Sequence, residues 1–386
     1  MRNLGDDVFF QVIIQWLSEK CNVRKVYVTA RKGRVPKVVD KAQVIPINPD
    51  KPLIGRMKFL RVFFYALRSD ILCFGGGSIF KFGPFALLTC LLALLRLLRG
   101  NRLKIIALGV SVGPLSSRWA TKWCRRFFSY MDFVLLRDSA SEQLMTELSF
   151  KTPRMVSYDL ALTWDKAWAM PSPDGSDKQN FIGLSINDYD WLFTEGGSDI
   201  DKARSCVIAD AVLAVAKRHP ELNIRIFEVC TDEKFGDAGV TKRFLQQFAE
   251  LKDRVMVCAY DGESPEHLIR KLTSCDCIIA SRMHAGIFGI IAGVPVYQIS
   301  YASKIRDFFD RCGLSKKFLI DKENLCYDDI ELFLEQAISK KLCEFSKTQR
   351  DILIKHRDNS RDILEIIEKW IRSECTKRDV ISDCCP

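Results

Sequence analysis

The sequence predicts an α/β protein of two doubly wound, Rossmann-like units in tandem, followed by C-terminal helices. Three observations support this class. Short runs rich in Val and Ile alternate with longer helical patterns, as in parallel sheets covered by helices. A polar segment rich in Pro, Gly, Ser and Asp interrupts the alternation at residues 170–180. After about Asp328, only helical periodicity remains.

The individual elements follow from these periodicities in chain order. In the first half, short apolar runs predict strands at residues 26–29, 44–47, 70–74, 104–108, 133–136 and 155–158. The intervening helices are predicted at residues 8–20, 57–67, 85–98, 118–130 and 139–148. In the second half, strands are predicted at residues 181–186, 224–228, 255–260, 277–280 and 294–299. The helices between them are predicted near residues 199–218, 240–251, 265–274 and 284–292.

The polar segment at residues 170–180 predicts the boundary between two domains. The chain of 386 residues, with 48% hydrophobic and 27% charged residues, is long enough for two or three globular domains. We predict an N-terminal domain at residues 1–169, a C-terminal domain at 181–327, and C-terminal helices and a tail at 328–386. Ligands of doubly wound sheets bind beyond the carboxyl ends of the strands, so we expect the functional site in the cleft between the domains.

Charge and cysteine usage restrict the partners and the compartment. The net charge of +10 favours an anionic partner such as a phosphate compound or an acidic lipid. Several of the 15 cysteines lie inside apolar runs, such as Cys73, Cys90, Cys258 and Cys277, which indicates buried thiols in a reducing compartment. No two cysteines have C-x-x-C spacing, so we expect no metal site. Two acidic residues stand where a signal peptide needs an apolar core, so we expect a cytoplasmic protein.

The stretch from Phe85 to Tyr130 has eight basic residues and no acidic one. Its apolar run is shorter than the roughly 18 residues that a membrane span needs. With Trp119 and Trp123 on its second helix, the stretch is either a peripheral contact with the inner face of an anionic membrane or a buried helix followed by an amphipathic one with a solvated basic face. No recognised nucleic-acid motif accompanies it, so we expect no nucleic-acid partner.

Glycine turns are predicted after two strands of the first half. Gly76, Gly77 and Ser78 follow the strand at residues 70–74. Glycine backbone lets a ligand approach closely and offers N–H groups to an anion. The turn lacks the Gly-Lys-Ser/Thr ending of a Walker loop, and it is equally consistent with a tight strand-to-helix turn. The second turn, at residues 108–114, also follows a strand, but by itself it does not indicate a binding site.

The strongest cluster is Ser281, Arg282 and His284, where an apolar strand enters a helix. The N-terminus of a helix favours an anion because its backbone N–H groups and dipole point there. Arg282 offers a bidentate contact with phosphate or carboxylate. His284 offers a proton donor near neutral pH.

Three further candidates end other strands. Arg137 follows the strand at residues 133–136 and is either a ligand contact or a surface residue beside a helix cap at Asp138 or Ser139. Tyr301 and Lys304 follow the strand at residues 294–299, beside the cluster at 281–284.

At these residues the sequence resembles the polysaccharide pyruvyl transferase family. The matching segments are Asn3-Leu-Gly-Asp-Asp7, Gly75-Gly-Gly-Ser78, Gly109-Val-Ser-Val-Gly-Pro114, Arg137-Asp-Ser-Ala-Ser141, Asp159-Leu-Ala161, Ser281-Arg-Met-His-Ala285, Gly293-Val-Pro295 and Lys304. Each segment is short, but their order and spacing together cover most of residues 3–310.

The resemblance implies a two-domain fold like that of GT-B glycosyltransferases, with both domains facing a cleft. It implies transfer of the enolpyruvyl group of phosphoenolpyruvate to a sugar diol as a cyclic ketal, with no cofactor beyond this donor. The implied acceptor is a hexose of a lipid-linked precursor of a surface polysaccharide. By position, His284 corresponds to the general acid, and Arg282, Lys304 and Arg137 to the phosphoenolpyruvate-binding residues. The remaining implied substrate contacts are Ser281, Tyr301, Gly76, Gly77, Ser78, Asn3 and Asp6.

Two departures from the family pattern stand out. Asn187 replaces an arginine that the family often has after the strand opening the second domain, so one anion contact is missing or supplied elsewhere. The chain also begins almost at Asn3, where the family has a preceding strand. Either the start is misassigned, which we favour, or the N-terminal sheet lacks a central strand and Asn3, Asp6 and Asp7 are mobile.

Three other functions stay open. A GT-B-like glycosyltransferase with a nucleotide sugar would share the cleft and the glycine turns, but it would not require the cluster at residues 281–284 with Lys304. The tripeptide Asp188-Tyr-Asp190 suggests a Mg²⁺ or Mn²⁺ site of a metal-dependent glycosyltransferase, although the duplicated α/β pattern fits that class poorly. An inactive scaffold of a glycan assembly complex is expected if Asn187 abolishes donor binding.

Overall fold

The computed structural model describes residues 3–382 apart from 22, 30–34, 36–42, 48–59, 81–84, 116, 171–179, 193 and 234. The chain folds into two units. Unit 1 consists of Met1–Asp7 and Trp164–His356, and unit 2 consists of Val8–Thr163 and Arg357–Pro386. The first helix, α1 (Leu4–Glu19), therefore contributes residues to both units.

Unit 2 is built around a parallel sheet. Its elements after α1 are β1 (Lys25–Thr29), β2 (Gln43–Ile47), α2 (Leu60–Leu67), β3 (Ile71–Phe80), α3 (Phe85–Arg99), β4 (Lys104–Val112), α4 (Arg118–Phe128), β5 (Phe133–Leu136), α5 (Ser139–Glu147) and β6 (Arg154–Val156). Strands β3, β4, β5 and β6 pair in that order, all parallel, while β1 and β2 form a separate parallel pair. Strand β4 is buried along its whole length, which fits its central position in the sheet.

The predicted glycine turns of unit 2 lie inside strands, and this prediction was wrong. Strand β3 continues through the glycines to Phe80, and β4 continues past Gly109 to Val112. The glycines make room for neighbouring side chains instead: a Cβ on Gly75 would lie 2.6 Å from Cδ1 of Ile13 on α1. A Cβ on Gly109 would lie 2.7 Å from Cδ1 of Leu160. Close packing therefore accounts for Gly75, whereas Gly109 also has a φ of +63°, in the left-handed region that favours glycine.

Unit 1 contains a larger parallel sheet. Its elements are α6 (Asp165–Trp168), β7 (Phe181–Ser185), α7 (Gly197–Arg218), β8 (Asn223–Glu228), α8 (Ala238–Gln247), β9 (Val255–Ala259), α9 (Pro265–Thr273), β10 (Cys277–Ala280), α10 (Met283–Ile291), β11 (Val296–Ser300), α11 (Ser303–Cys312), β12 (Leu319–Asp321), α12 (Tyr327–Ile338) and the start of α13 (Cys343–Ser382). The six strands pair in the order β12-β11-β10-β7-β8-β9, all parallel. The order reverses direction next to β7 and β10, which is the switch point where such sheets bind ligands.

The predicted α/β class with parallel sheets is confirmed, and most predicted elements begin or end within a few residues of the observed ones. The sequence reasoning did not predict α11 and β12, between residues 300 and 327. In the described part of the chain, no helix has both the length and the apolar character to cross a membrane. Cys90 is exposed, so the prediction that it is buried was wrong.

The division into units differs from the predicted domains at both ends of unit 1. The N–H of Leu4 donates to the carbonyl of Val229 at 2.9 Å, which joins the N-terminal residues to unit 1. Trp164 is buried against the ring of Phe288, with 6.0 Å between the ring centroids. The boundary therefore lies before residue 170, and residues 171–179 of the predicted linker lie outside the described residues. Helix α12 belongs to unit 1, and α13 is divided at His356.

Candidate functional site

The carboxyl edge of the unit 1 sheet carries the cluster predicted at residues 281–284. Strand β10 is fully buried and ends at Ala280, and α10 begins at Met283. Ser281 and Arg282 occupy the two positions between them, and His284 lies in the first turn of α10. The structure thus places all three predicted side chains where the edge of the sheet meets a helix N-terminus, a position that favours anions.

Residues of the N-terminal motif lie at the same edge. Asn3 forms an antiparallel bridge with Cys230, which follows β8. Gly5 faces the imidazole of His284 so closely that a Cβ on Gly5 would lie 2.0 Å from Nδ1. Pairing and packing in unit 1 therefore hold the motif in place, in contrast to the less favoured alternative in which Asn3, Asp6 and Asp7 are mobile.

Asp7 ends the motif at a buried position. It accepts a hydrogen bond from the hydroxyl of Tyr260, which follows β9, at 2.7 Å. Burial, the largest effect, raises the pKa of Asp7 to about 7, against the opposing hydrogen bond from Tyr260 and with the support of repulsion from Asp6. Burial and the nearby Asp7 also raise the pKa of Tyr260, so its hydroxyl keeps its proton. Asp7 therefore changes its charge near neutral pH.

Arg282 is held by a buried carboxylate. Nε of Arg282 donates to Oδ1 of Asp237 at 2.9 Å, and Nη2 donates to the same oxygen. Nη2 also donates to the carbonyl of Phe235 at 3.3 Å. Nη1 makes no hydrogen bond to any residue that the structure describes. Asp237 therefore fixes the side of the guanidinium that carries Nε and Nη2.

Ser281 joins the ends of two neighbouring strands. Its hydroxyl donates to Oδ1 of Asn187 at 2.6 Å and accepts the backbone N–H of Asn187 at 2.8 Å. Both residues are buried. Ser281 thus locks the end of β10 to the end of β7. The Asn187 carboxamide, at the position where the family often has an arginine, is engaged in this link.

Tyr301 and Lys304 extend the same edge at the end of β11. The ring of Tyr301 lies 4.5 Å, centroid to centroid, from that of Tyr189, which follows β7. Nζ of Lys304 lies 5.7 Å from the Tyr301 centroid. Lys304 forms no ion pair with a carboxylate in the described ranges. Lys304 is half-buried, and its predicted role as a contact for the donor's anionic groups stays a prediction.

The tripeptide Asp188-Tyr-Asp190 does not form the suggested metal site. Asp188 pairs with Arg243 at 2.5 Å, and Asp190 pairs with Arg204 at 2.5 Å and with Lys322. Although burial opposes it, hydrogen bonds from Lys322 and Arg204 hold the pKa of Asp190 below its ordinary value. Across the described residues, no group of three His, Cys, Asp or Glu side chains is arranged to hold a metal ion.

Arg137 belongs to unit 2 and is buried, so its interpretation as a surface residue was wrong. Its Nε donates to Oγ of Ser111 at 2.8 Å, and Nη1 pairs with Asp159 at 3.3 Å. The guanidinium also lies 5.8 Å from the ring centroid of Phe9. The predicted cap of α5 is confirmed at Asp138, whose side chain accepts the N–H of Ser141 at 2.7 Å.

The other unit 2 candidates lie in β3. Gly76 and Gly77 have φ values of +81° and +69°, in the left-handed region that favours glycine. The side chain of Ser78 lies outside the described residues. The structure thus gathers Ser281, Arg282, His284, Tyr301, Lys304, Asn3 and Asp6 in unit 1, and leaves Arg137, Gly76, Gly77 and Ser78 in unit 2.

Four residues at the unit 1 edge were not among the predicted site residues: Gly5, Asp7, Asp237 and Tyr260. Gly5 and Asp7 lie within the motif Asn3-Leu-Gly-Asp-Asp7, so the resemblance to the family could have identified them as site residues. Asp237 precedes α8 in an ordinary polar turn, and Tyr260 ends an apolar strand, so neither carries a local signal. Their roles depend on contacts with residues far away in the sequence.

The family model for polysaccharide pyruvyl transferases matches residues 3–303, from the N-terminal motif to the start of α11. The chain belongs to the polysaccharide pyruvyl transferase family. Membership supports a transferase of polysaccharide biosynthesis. No curated protein sequence matches the chain.

Solved structures similar to this family member share its fold at low identity. HepE of Anabaena, solved with UDP-glucose, is 14% identical with a TM-score of 0.58, covering 97% of this chain and 96% of its own. A putative UDP-N-acetylglucosamine 2-epimerase from Listeria monocytogenes is 10% identical with a TM-score of 0.63, covering 97% and 95%. The UDP-GlcNAc 2-epimerase from Neisseria meningitidis, bound to UDP-GlcNAc, is 12% identical with a TM-score of 0.56, covering 95% and 97%. The predicted GT-B-like class is therefore confirmed.

Proposed function

We propose that this protein transfers the enolpyruvyl group of phosphoenolpyruvate to two hydroxyls of a sugar, forming a cyclic ketal during biosynthesis of a surface polysaccharide. The observation that carries the proposal is the arrangement at the end of β10. There, an arginine, a histidine and a helix N-terminus follow one buried strand in a member of the pyruvyl transferase family.

The proposed reaction sets three demands. The methylene carbon of the donor takes up one proton and becomes a methyl group. The adjacent carbon then becomes electron-poor, forms bonds to two sugar oxygens and loses its bond to the phosphate oxygen. The two hydroxyl protons balance the step, since one replaces the proton given to carbon and the other leaves on inorganic phosphate.

The residues at the unit 1 edge are suited to these demands. His284 serves as the general acid that protonates the methylene carbon, a role in which an imidazole can both hold and donate a proton. The Nη1 side of Arg282 and the ammonium of Lys304 hold the donor's anionic groups and stabilise the departing phosphate. Tyr301 positions Lys304, because the ammonium lies over the face of the ring, 5.7 Å from its centroid.

The acceptor in this proposal is a hexose of a lipid-linked precursor at the cytoplasmic face of the membrane. A cyclic ketal needs two hydroxyls within reach of one carbon, which the 4- and 6-hydroxyls of a hexose provide. Asn3 and Asp6 supply hydrogen-bonding groups on the N-terminal motif, next to Gly5 and His284. Arg137, Gly76, Gly77 and Ser78 remain candidates for further substrate contacts from unit 2.

Ligand-dependent thermal stability tests the donor. Millimolar phosphoenolpyruvate should raise the unfolding midpoint, because a ligand that binds only the native state stabilises it. Lys304→Ala should remove the shift without lowering the midpoint of the free protein, since Lys304 pairs with no described carboxylate. Lys242→Ala, at an exposed position on α8, is the matched control and should keep the shift. Arg282→Ala is less suitable, because it leaves Asp237 buried without its partner.

A nucleotide-sugar glycosyltransferase is the second candidate. It is favoured by the similar fold of HepE, which was solved with UDP-glucose. A midpoint raised by UDP-glucose but not by phosphoenolpyruvate would replace the pyruvyl proposal with this one. A protein that responds to neither would fit an inactive scaffold.

A further inference from the structure

Helix α3 of unit 2 presents an apolar face to solvent. Leu87, Cys90, Leu94, Leu97 and Leu98 recur at helical spacing on one side of the helix and are all exposed, and we call them the leucine face. The exposed fractions reach 80% for Leu97 and 57% for Leu98. Four leucines exposed in one stripe are unusual on a protein surface and mark a place where something apolar binds.

A strongly basic face lies on the neighbouring helix. Arg118, Lys122, Arg125 and Arg126 of α4 are all exposed, and we call them the basic face. None of them pairs with a carboxylate in the part of unit 2 that the structure describes. Trp119, which is 61% exposed, lies on the same helix.

The two helices pack side by side within unit 2. Oγ1 of Thr89 on α3 donates to the carbonyl of Trp123 on α4 at 3.4 Å. Further along α3, Nη2 of Arg96 donates to the carbonyl of Tyr130, just after the end of α4, at 2.8 Å. Arg96 is also paired with Asp132. The structure therefore separates the basic residues of this stretch into those tied into the fold, such as Arg96, and those of the basic face.

The basic face also lines an open groove. Its volume is about 510 Å³, and Arg118, Lys122 and Arg125 line it together with Ser117 and Thr121. Three cations and two hydroxyls around one groove suit a phosphate group.

We propose that the leucine face and the basic face together form a surface that docks on an anionic lipid bilayer. The leucines and Trp119 enter the boundary between headgroups and acyl chains, and the basic face contacts lipid phosphates, with one headgroup in the groove. Charge complementarity selects this occupant. A second copy of the chain would bring one basic face towards another, which like-charge repulsion disfavours. The surface lies apart from the unit 1 edge in sequence and does not depend on pyruvyl transfer.

Vesicle co-sedimentation of the full chain tests the proposal. The protein should sediment with vesicles that contain phosphatidylcholine and phosphatidylglycerol at a ratio of about two to one, and much less with vesicles of phosphatidylcholine alone. Lys122→Glu with Arg125→Glu should weaken binding by at least about tenfold, as should Leu97→Ser with Leu98→Ser. Lys242→Glu on α8 and Leu332→Ser on α12 alter equally exposed residues of unit 1 and should leave binding unchanged. Thermal unfolding of each variant checks that the fold is intact.

Several results would overturn the proposal. One is equal sedimentation of the wild-type protein with and without vesicles. Another is vesicle binding as strong as that of the wild type by the folded Lys122→Glu/Arg125→Glu and Leu97→Ser/Leu98→Ser variants. Sedimentation velocity tests whether a second copy of the chain covers the leucine face instead of a membrane. A wild-type dimer that Leu97→Ser converts to a monomer would make the leucine face an interface between copies of the chain.

Discussion

Gly5 packs directly against the imidazole of His284, and no side chain larger than hydrogen fits between them. A Cβ at position 5 would lie 2.0 Å from Nδ1 and 2.4 Å from Cε1 of His284. Real Cβ atoms do not approach a ring so closely, so either the ring or the backbone would have to move. The position of the His284 ring, the proposed general acid, therefore requires a glycine at residue 5 of the N-terminal motif.

Gly5→Ala should destabilise the protein by about 1–3 kcal/mol because it overpacks the contact with His284. In a His284→Ala background the same substitution should cost much less, because the ring is gone. Urea unfolding of the four proteins gives the coupling energy between the two positions. Gly239→Ala, on α8, is the control, since its nearest neighbour would be Oδ2 of Asp188 at 4.0 Å. Additive effects of Gly5→Ala and His284→Ala would contradict the contact.

His284→Ala should leave folding intact and reduce phosphate release from phosphoenolpyruvate by about 10²–10⁴-fold, the usual contribution of a general acid. His267→Ala, at an exposed position on α9, serves as the control. The measurement is phosphate release in the presence of a hexose acceptor. Activity of His284→Ala close to that of the wild type would remove this residue from the proposed chemistry.

Asp7→Asn should change how stability depends on pH. The pKa of Asp7 is about 7 in the folded protein, against its ordinary value of 3.8 in the unfolded chain. The folded state therefore binds the proton more tightly, and the free energy of unfolding falls as pH rises between these two values. The loss is on the order of 4 kcal/mol at most, from about 1.4 kcal/mol for each pKa unit. Asp7→Asn keeps an acceptor for Tyr260 and should flatten this part of the profile.

The comparison needs chemical denaturation of wild type and Asp7→Asn at several pH values between about 4 and 8. Asp261→Asn is a control, because the pKa of Asp261 is lowered and its contribution has the opposite sign. If the free energy of unfolding depends on pH in the same way in wild type and Asp7→Asn, the pKa of Asp7 is not raised by folding.

Arg137→Ala should destabilise the protein by about 3–5 kcal/mol, because it removes the guanidinium that is paired with the buried carboxylate of Asp159. Replacing both, as Arg137→Met with Asp159→Leu, should restore much of the loss. Lys202→Ala breaks the exposed pair with Asp199 and should change stability by less than about 1 kcal/mol. Equal thermal midpoints for Arg137→Ala and wild type would mean that the ion pair does not support the fold. In that case, ligand binding would be the better account of Arg137.

The sequence predicted the fold class well because strands and helices of an α/β protein leave strong local periodicities. It also predicted that Ser281, Arg282 and His284 lie between an apolar strand and a helix, since a polar cluster directly after an apolar run is a local signal. It misread Gly75 and Gly109, because a glycine that close packing or a left-handed φ requires inside a strand looks the same in sequence as a glycine in a turn. It missed Asp237 and Tyr260, whose roles depend on Arg282 and Asp7, and such distant partners leave no pattern in a single chain.

The pairing of residues 3–7 with the unit 1 sheet has a consequence for biosynthesis. Residues 3–7 are synthesised well before their partners Cys230, Tyr260 and His284. At about 5–20 residues per second, Gly5 waits roughly 15–55 seconds for His284 to be synthesised. The edge that we propose to be catalytic therefore forms late, and a chain interrupted before residue 284 cannot assemble it. An incomplete translation product would be inactive from the start, whatever part of unit 2 had already folded.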